Sequence, residues 1–318
     1  MTFAWLLLLL HSGAAVPDAA GGAASVSLWA LADDRWQSQV PILRSHVQKV
    51  NVDFVMVGCG LAYQLGSPHM VEATVDHRNG QVKYCRGAVR DVRSLGLTPW
   101  LWLHGGSFNA SMDAFRAMAT DSMDLLVSAT AEACSLYGFG GINIDWELGP
   151  ADRRPADREL MLRFMRRARA PLQRRGCSLS LFTGEGVHQL NRVQADYVPY
   201  LTEVQSGDLY RGTDINDWRG KLRSALDVVP QHLLRPGFCC NGCKQAWSAT
   251  NASVVERLAV LGAEAPNVTK VAIWVLGPHG TGGEECPTPF YWRELARFAP
   301  RPASAALASA PGAAVISI

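Results

Sequence analysis

Short apolar runs and longer amphipathic stretches alternate along most of this chain. The runs Ser25–Leu31, Asp53–Cys59, Thr98–Leu103, Gly141–Trp146, Ser178–Thr183, Leu233–Cys239 and Val271–Leu276 predict strands, with a weakly marked further one near Glu203–Ser206. Between them, apolar spacing predicts helices, clearest at Met112–Leu136, Asp157–Arg175, Thr213–Val228 and Ser253–Ala263. Strands separated by helices pair in parallel through crossovers, and eight such units predict an α/β protein, a single-domain TIM (β/α)8 barrel over residues 25–300. The competing architecture is a doubly wound open sheet. It usually carries a Gly-rich phosphate-binding turn after its first strand, and this sequence has none there.

Several stretches depart from the alternation. Val71–Val75 and Gln81–Tyr84 flank Asn79-Gly80, a two-residue hairpin signal that predicts an excursion at the rim of the barrel mouth. Arg163, Arg166, Arg167, Arg169, Arg174 and Arg175 fall on a predicted helix and its exit; no aromatic platform accompanies them, so they predict a solvated outer face. The apolar run from Ala4 to Leu10, followed by small residues, predicts a secretory signal over residues 1–20; it is too short to span a bilayer. Residues 301–318 are rich in Ala, Ser and Pro and predict a disordered tail.

Composition narrows the function classes. Apolar residues make up 48% and charged residues 18%, enough for a large core, and the net charge of +2 argues against nucleic acid or an anionic membrane as the partner. All eight cysteines lie beyond the signal-like segment, which predicts disulfides of unspecified pairing and a secreted, lysosomal or vacuolar destination. The cluster Cys239-Cys240-Asn241-Gly242-Cys243 lacks a second ligand pair at metal-binding spacing, and His69, His77, His188 and His279 are scattered; neither predicts a metal or cofactor. Three glycosylation acceptors, at Asn109, Asn251 and Asn267, agree with secretion.

The candidate chemistry lies in Phe139-Gly140-Gly141-Ile142-Asn143-Ile144-Asp145-Trp146-Glu147. Alternate residues of a strand share a face, so Asn143, Asp145 and Glu147 project together toward the barrel axis, with Glu147 at the C-terminal end where barrel active sites form. Two carboxyl groups this close in a packed interior do not both ionise easily, so one is expected to hold a proton near neutral pH. That suits an acid delivering a proton to a leaving oxygen. A polar layer in an inert barrel core is the plain alternative.

At these residues the chain resembles glycoside hydrolase family 18, whose fourth-strand signature DGxDxDxE stands here as GGINIDWE. The resemblance implies a TIM barrel, Glu147 as proton donor, and Asp145 as the residue orienting the substrate acetamide. It also implies substrate-assisted retaining hydrolysis, in place of the usual pair of acting carboxylates. Leu101-Trp102-Leu103-His104-Gly105-Gly106-Ser107 resembles the family's third-strand segment, and Val271-Ala272-Ile273-Trp274 its last strand, implying Trp274 as the floor of a sugar subsite and Trp102 beside the substrate. Asn143 stands where the family usually has Asp, but the di-N-acetylchitobiase branch, with DGINIDIE, also has Asn there and is the branch most resembled. On the sixth strand the family's Met-x-Tyr-Asp falls on Gln205-Ser206-Gly207-Asp208, placing Asp208 at the substrate and Gly where Tyr is expected, with Tyr210 as a candidate to reach in from the following loop.

The stretch between the last two predicted strands has no room for a large insertion domain, which implies a shallow cleft and short substrates. The expected partner is an N-acetylglucosamine oligosaccharide bound by a monomer, with no nucleic acid and no membrane. The leading expectation is a glycosidase of β-1,4-linked N-acetylglucosamine, in chitooligosaccharides or the chitobiose core. A catalytically inactive sugar-binding protein on the same scaffold, or a barrel hydrolase of another glycan, are the alternatives.

Overall fold

The computed structural model describes residues 23–32, 36–59, 61–72, 85–104, 109–146, 156–183, 195–210, 214–240, 250–274, 276 and 287–302. Its strands are β1 (Ser25–Leu31), β2 (Val52–Gly58), β3 (Leu61–Tyr63), β4 (Met70–Glu72), β5 (Thr98–His104), β6 (Gly141–Trp146), β7 (Ser178–Thr183), β8 (Glu203–Ser206), β9 (Gly237–Cys239) and β10 (Lys270–Trp274). The helices are α1 (Trp36–His46), α2 (Cys85–Ser94), α3 (Asn109–Asp121), α4 (Met123–Tyr137), α5 (Ala156–Arg174), α6 (Ile215–Leu226), α7 (Asn251–Glu264) and α8 (Pro289–Phe298).

Eight strands pair in parallel in the order β8-β7-β6-β5-β2-β1-β10-β9. The two ends of that order meet through a parallel bridge between Val204 and Leu234 and a bond from Arg235 N to Val204 O of 2.8 Å. This is the (β/α)8 barrel that the alternation predicts, as one domain with its helices packed outside.

Four strands, β1, β6, β7 and β8, run over the residues whose pattern predicts them. β2, β5 and β10 differ from their predicted ranges by one or two residues at the ends, and two elements differ more. The helix predicted over Met112–Leu136 is two helices, because Ser122 leaves helical geometry at φ −146° and ψ 46° and a new helix begins after it, with Asp124 in its first turn. The strand predicted over Leu233–Cys239 is shortened to Gly237–Cys239, since residues 231–233 form a 3-10 turn after Pro230. In the excursion after β2, β4 pairs antiparallel with β3. The Asn79-Gly80 turn lies outside the described residues, as do the signal-like segment and the tail from residue 303.

The core is double. Outward residues of the strands, among them Val26, Leu28, Val55, Ile142, Ile144, Leu179 and Leu181, pack against the inner faces of the helices in one large buried cluster. Inward residues form a separate aromatic cluster of Trp29, Phe54, Met56, Trp100, Trp102, Phe182, Tyr210, Cys239 and Ala272. Bulk on one strand is met by glycine on its neighbour: a Cβ on Gly141 would fall 2.5 Å from Cδ2 of Trp100, and one on Gly58 2.6 Å from Cε3 of Trp102.

An ionic plug closes the N-terminal end of the barrel. Arg235, fully buried, faces Glu203 at 2.7 Å and Asp53 on β2, bonds Val271 O at 3.0 Å, and lies over the Phe54 ring at 4.7 Å. Burial pushes the Glu203 carboxyl up and the guanidinium pulls it back down.

Disulfides join Cys59 to Cys85, closing the excursion onto α2, and Cys134 to Cys177, fastening α4 to the residue before β7. Cys239 and Cys240 are also disulfide-bonded. The arginines of α5 lie on its exposed face. Several of them reach neighbouring segments, among them Arg167 to Asp124, Arg163 to Ala119 O, Arg166 to the Tyr200 hydroxyl and Arg158 to Asp196.

Candidate active site

The parity of β6 decides the site. Ile142, Ile144 and Trp146 join the outer cluster, Trp146 meeting Phe115 of α3 at a ring separation of 5.9 Å. Asn143 and Asp145 therefore face inward, at 0% and 3% exposure. Glu147, the next inward position by alternation, lies outside the described residues.

Asp145 is a carboxyl among aromatics. Its Oδ2 accepts from Trp102 Nε1 at 3.0 Å, and its strand neighbour on the other side is Phe182. Burial raises its pKa to about 7, with the Trp102 bond pulling the other way. A proton therefore enters and leaves this group near neutrality, a property suited to a polar group that meets a charged intermediate.

Asn143 sits one level below. Its Nδ2 donates to Ser180 Oγ on β7 at 2.7 Å, and its Oδ1 finds no hydrogen-bond partner among the described residues. An amide neither gains nor loses a proton here, so no second acid on this strand competes with Asp145 from below.

Three indoles, from β1, β5 and β10, pack together beside Asp145. Trp29, Trp102 and Trp274 meet edge to face, with centroids 5.2 Å apart for Trp29–Trp102, 5.0 Å for Trp102–Trp274 and 5.2 Å for Trp29–Trp274. Trp274 is the partly exposed member and ends β10 at the barrel mouth, where an indole face can receive a sugar ring.

Tyr210 does reach into the barrel, from the end of the 3-10 turn that follows β8. Its ring occupies the space over Gly237, and its hydroxyl accepts from Trp29 Nε1 at 3.0 Å and donates to Gln205 Oε1 at 2.6 Å. Gln205 Nε2 passes the chain on to Glu203 at 2.9 Å. Gly207 is buried and opens this turn.

Asp208 stands elsewhere. With Thr183, Ser206, Asp217, Lys221 and Ser224 it lines a cavity of about 330 Å³ between the outer side of the β7 and β8 tips and α6. The structure thus brings together Asp145, Asn143, Trp102, Trp274 and Tyr210, and separates Asp208 from them. Trp29, Gly58, Ser180 and Gln205 complete the interior and were not singled out from sequence. The available signal was parity, since each lies on the inward alternation of its strand.

Fold and interior together define a (β/α)8 barrel in which Asp145 is set among aromatic side chains at the mouth. By sequence, no family profile and no curated protein matches the chain. By structure, it is similar to a class V chitinase from Nicotiana tobaccum in complex with NAG4, with a TM-score of 0.64 at 10% identity over 87% of this chain and 99% of that one. It is similar to a chitinase from Chromobacterium violaceum (TM-score 0.62, 13% identity, 87% and 99% covered). The spore cortex-lytic enzyme SleL of Bacillus megaterium is similar too (TM-score 0.61, 12% identity, 86% and 73% covered). At these identities the likeness establishes the fold.

Proposed function

We propose that this protein is a secreted glycoside hydrolase that cleaves β-1,4-linked N-acetylglucosamine in short oligosaccharides, by substrate-assisted catalysis. The observation that carries the proposal is Asp145: a carboxyl at 3% exposure, inside a barrel of chitinase-like fold, two residues before Glu147. Sugar hydroxyls and one acetamide are the chemistry that an aromatic cup holding a buried carboxyl would recognise.

In this reaction Glu147 gives its proton to the glycosidic oxygen as the bond to C1 breaks. The acetamide carbonyl oxygen of the same sugar attacks C1 and forms an oxazolinium ion. Asp145, as the carboxylate, accepts the acetamide N–H and offsets the positive charge that develops there. Glu147, now ionised, takes a proton from water as that water opens the ring at C1, so configuration is retained over two inversions. Trp274 holds the apolar face of the sugar. Secretion is supported by the paired cysteines and by Asn251 and Asn267, both exposed acceptors for glycans.

A second reading, a sugar-binding protein without turnover, is favoured by one observation. The Tyr210 hydroxyl is committed to Trp29 and Gln205, so it is not offered to an acetamide.

Release of a fluorogenic aglycone from a chitobioside separates the two. The enzyme turns the substrate over, and Glu147→Gln abolishes release while binding remains. Binding without release in the unaltered protein would establish the second reading in its place.

A further inference from the structure

Asp145 must be held in one orientation if it is to meet an acetamide, and the other inward residue described on its strand is engaged elsewhere. Asn143, the inward residue two positions earlier, directs its Nδ2 to Ser180. A bond to Asp145 comes from β5: Trp102 Nε1 donates to Oδ2 at 3.0 Å, in a buried pair. In backbone register Trp102 lies beside Asn143, so its indole leans toward the barrel mouth to reach the carboxyl one level above.

The indole has a built seat. A Cβ at Gly58 of β2 would lie 2.6 Å from Trp102 Cε3 and 2.9 Å from Cζ3, so only glycine there admits the ring in this position. Trp29 and Trp274 press on it edge to face. The ring that holds Asp145 is thereby also in contact with the indole proposed to carry the sugar.

We infer that Trp102 is the positioning residue for Asp145, holding Oδ2 so that the carboxyl faces the mouth and coupling its orientation to the sugar-stacking Trp274. This rests on the proposed hydrolase reading for its catalytic meaning. The positioning itself is a statement about two side chains and can be measured without turnover.

The surroundings of Asp145 limit what else could move its titration. Phe182 beside it on β7 carries no charge. Tyr210, whose hydroxyl burial holds protonated far above neutrality, is electrostatically within reach of Asp145. Glu203 and Arg235 face each other at the opposite end of the barrel. His104 is the register partner of Asp145 on β5. Glu147 follows Asp145 by two residues. Neither variant replaces any of these groups.

The test is a titration of the Asp145 carboxyl by ¹³C NMR in the full chain, in the unaltered protein and in Trp102→Phe, which keeps most of the ring and loses the donor. Removing a donated bond from the charged form raises the midpoint, here by about one pH unit or more. On a chitobioside, kcat falls about tenfold to a hundredfold with KM nearly unchanged, and the acid limb of the rate profile rises with the midpoint. An unmoved midpoint in folded Trp102→Phe overturns the inference, leaving Trp102 a packing residue that affects thermal stability alone.

Gly58→Ala is the second variant, needed if Trp102→Phe does not fold: it keeps the indole and displaces it from its seat. The same upward movement is expected, and none overturns the inference. If the unaltered protein releases no aglycone at all, the hydrolase reading fails while the titration still decides whether Trp102 holds Asp145.

Discussion

The phenol ring of Tyr210 fills the space that a side chain at Gly237 would need, with Cζ of the tyrosine 2.0 Å from an ideal Cβ on the glycine. This contact lies at the seam between β8 and β9, where the backbone links are the Val204–Leu234 bridge, the Arg235–Val204 bond and a bond from Cys239 N to Tyr210 O of 3.2 Å. A side chain drawn from outside the strands therefore seals the barrel where main-chain hydrogen bonds are fewest.

Gly237→Ala is expected to lower stability by about 1–3 kcal/mol through overpacking at the seam. Tyr210→Phe relieves no crowding and strands Trp29 Nε1 and Gln205 Oε1, with an expected loss of about 1–3 kcal/mol. Urea unfolding of both variants measures this. A Tyr210→Phe midpoint equal to that of the unaltered protein would show that the two bonds do not stabilise the interior.

Asp145→Asn is expected to stabilise the protein while removing its proposed activity. The folded carboxyl titrates at about 7 and the unfolded one near 3.8. Below 3.8 both states hold the proton; between the two values only the folded state does, so the folded state loses stability as pH rises through that window. Asparagine removes the titration and still accepts from Trp102. Thermal unfolding at pH 8 should therefore favour the variant by a few kcal/mol, with the difference shrinking toward pH 4. A variant less stable at pH 8 would mean that Asp145 is not desolvated as described.

The ion cluster at the closed end predicts an asymmetric response. Arg235→Met leaves Glu203 buried opposite no cation, and about 3–5 kcal/mol should be lost. Adding Glu203→Gln to that variant should recover a large part, because the neutral amide is far cheaper to bury. Double-mutant analysis of denaturation midpoints reads the coupling directly; additive losses would argue against a shared cluster.

The Cys134–Cys177 bridge spans a separation of 43 residues that includes β6, the strand bearing Asp145. Replacing both cysteines by serine is expected to lower stability by about 2–5 kcal/mol. Calorimetry of this variant, compared with one lacking Cys59–Cys85, shows whether each bridge acts on the barrel or on its local segment.

Much of the barrel was legible because strand alternation is a local property. Gly141–Trp146 carries apolar and polar residues at a period of two, and one face had to meet the helices and the other the axis. The helices that the pattern did not mark have identifiable reasons. Pro41 lies inside α1, where a proline argues against a helix, and α2, with Arg86, Arg90 and Arg93 in ten residues, shows a narrow apolar stripe. Ser122 divides a periodic stretch whose apolar residues continue on both sides, so the break left no trace in the pattern.

The sequence by itself determined the class of fold, the strand that bears the acids and the inward direction of Asp145, since each follows from residues adjacent in the chain. Tertiary structure alone decided that Trp102 bonds Asp145, that Tyr210 spends its hydroxyl on Trp29 and Gln205, and that Asp208 turns to an outer cavity. The bonding partners are 43 and 181 residues apart for Asp145–Trp102 and Trp29–Tyr210. Such pairs are chosen by which side chains fit one closed interior, and close packing there depends on the glycines opposite as much as on the partners themselves.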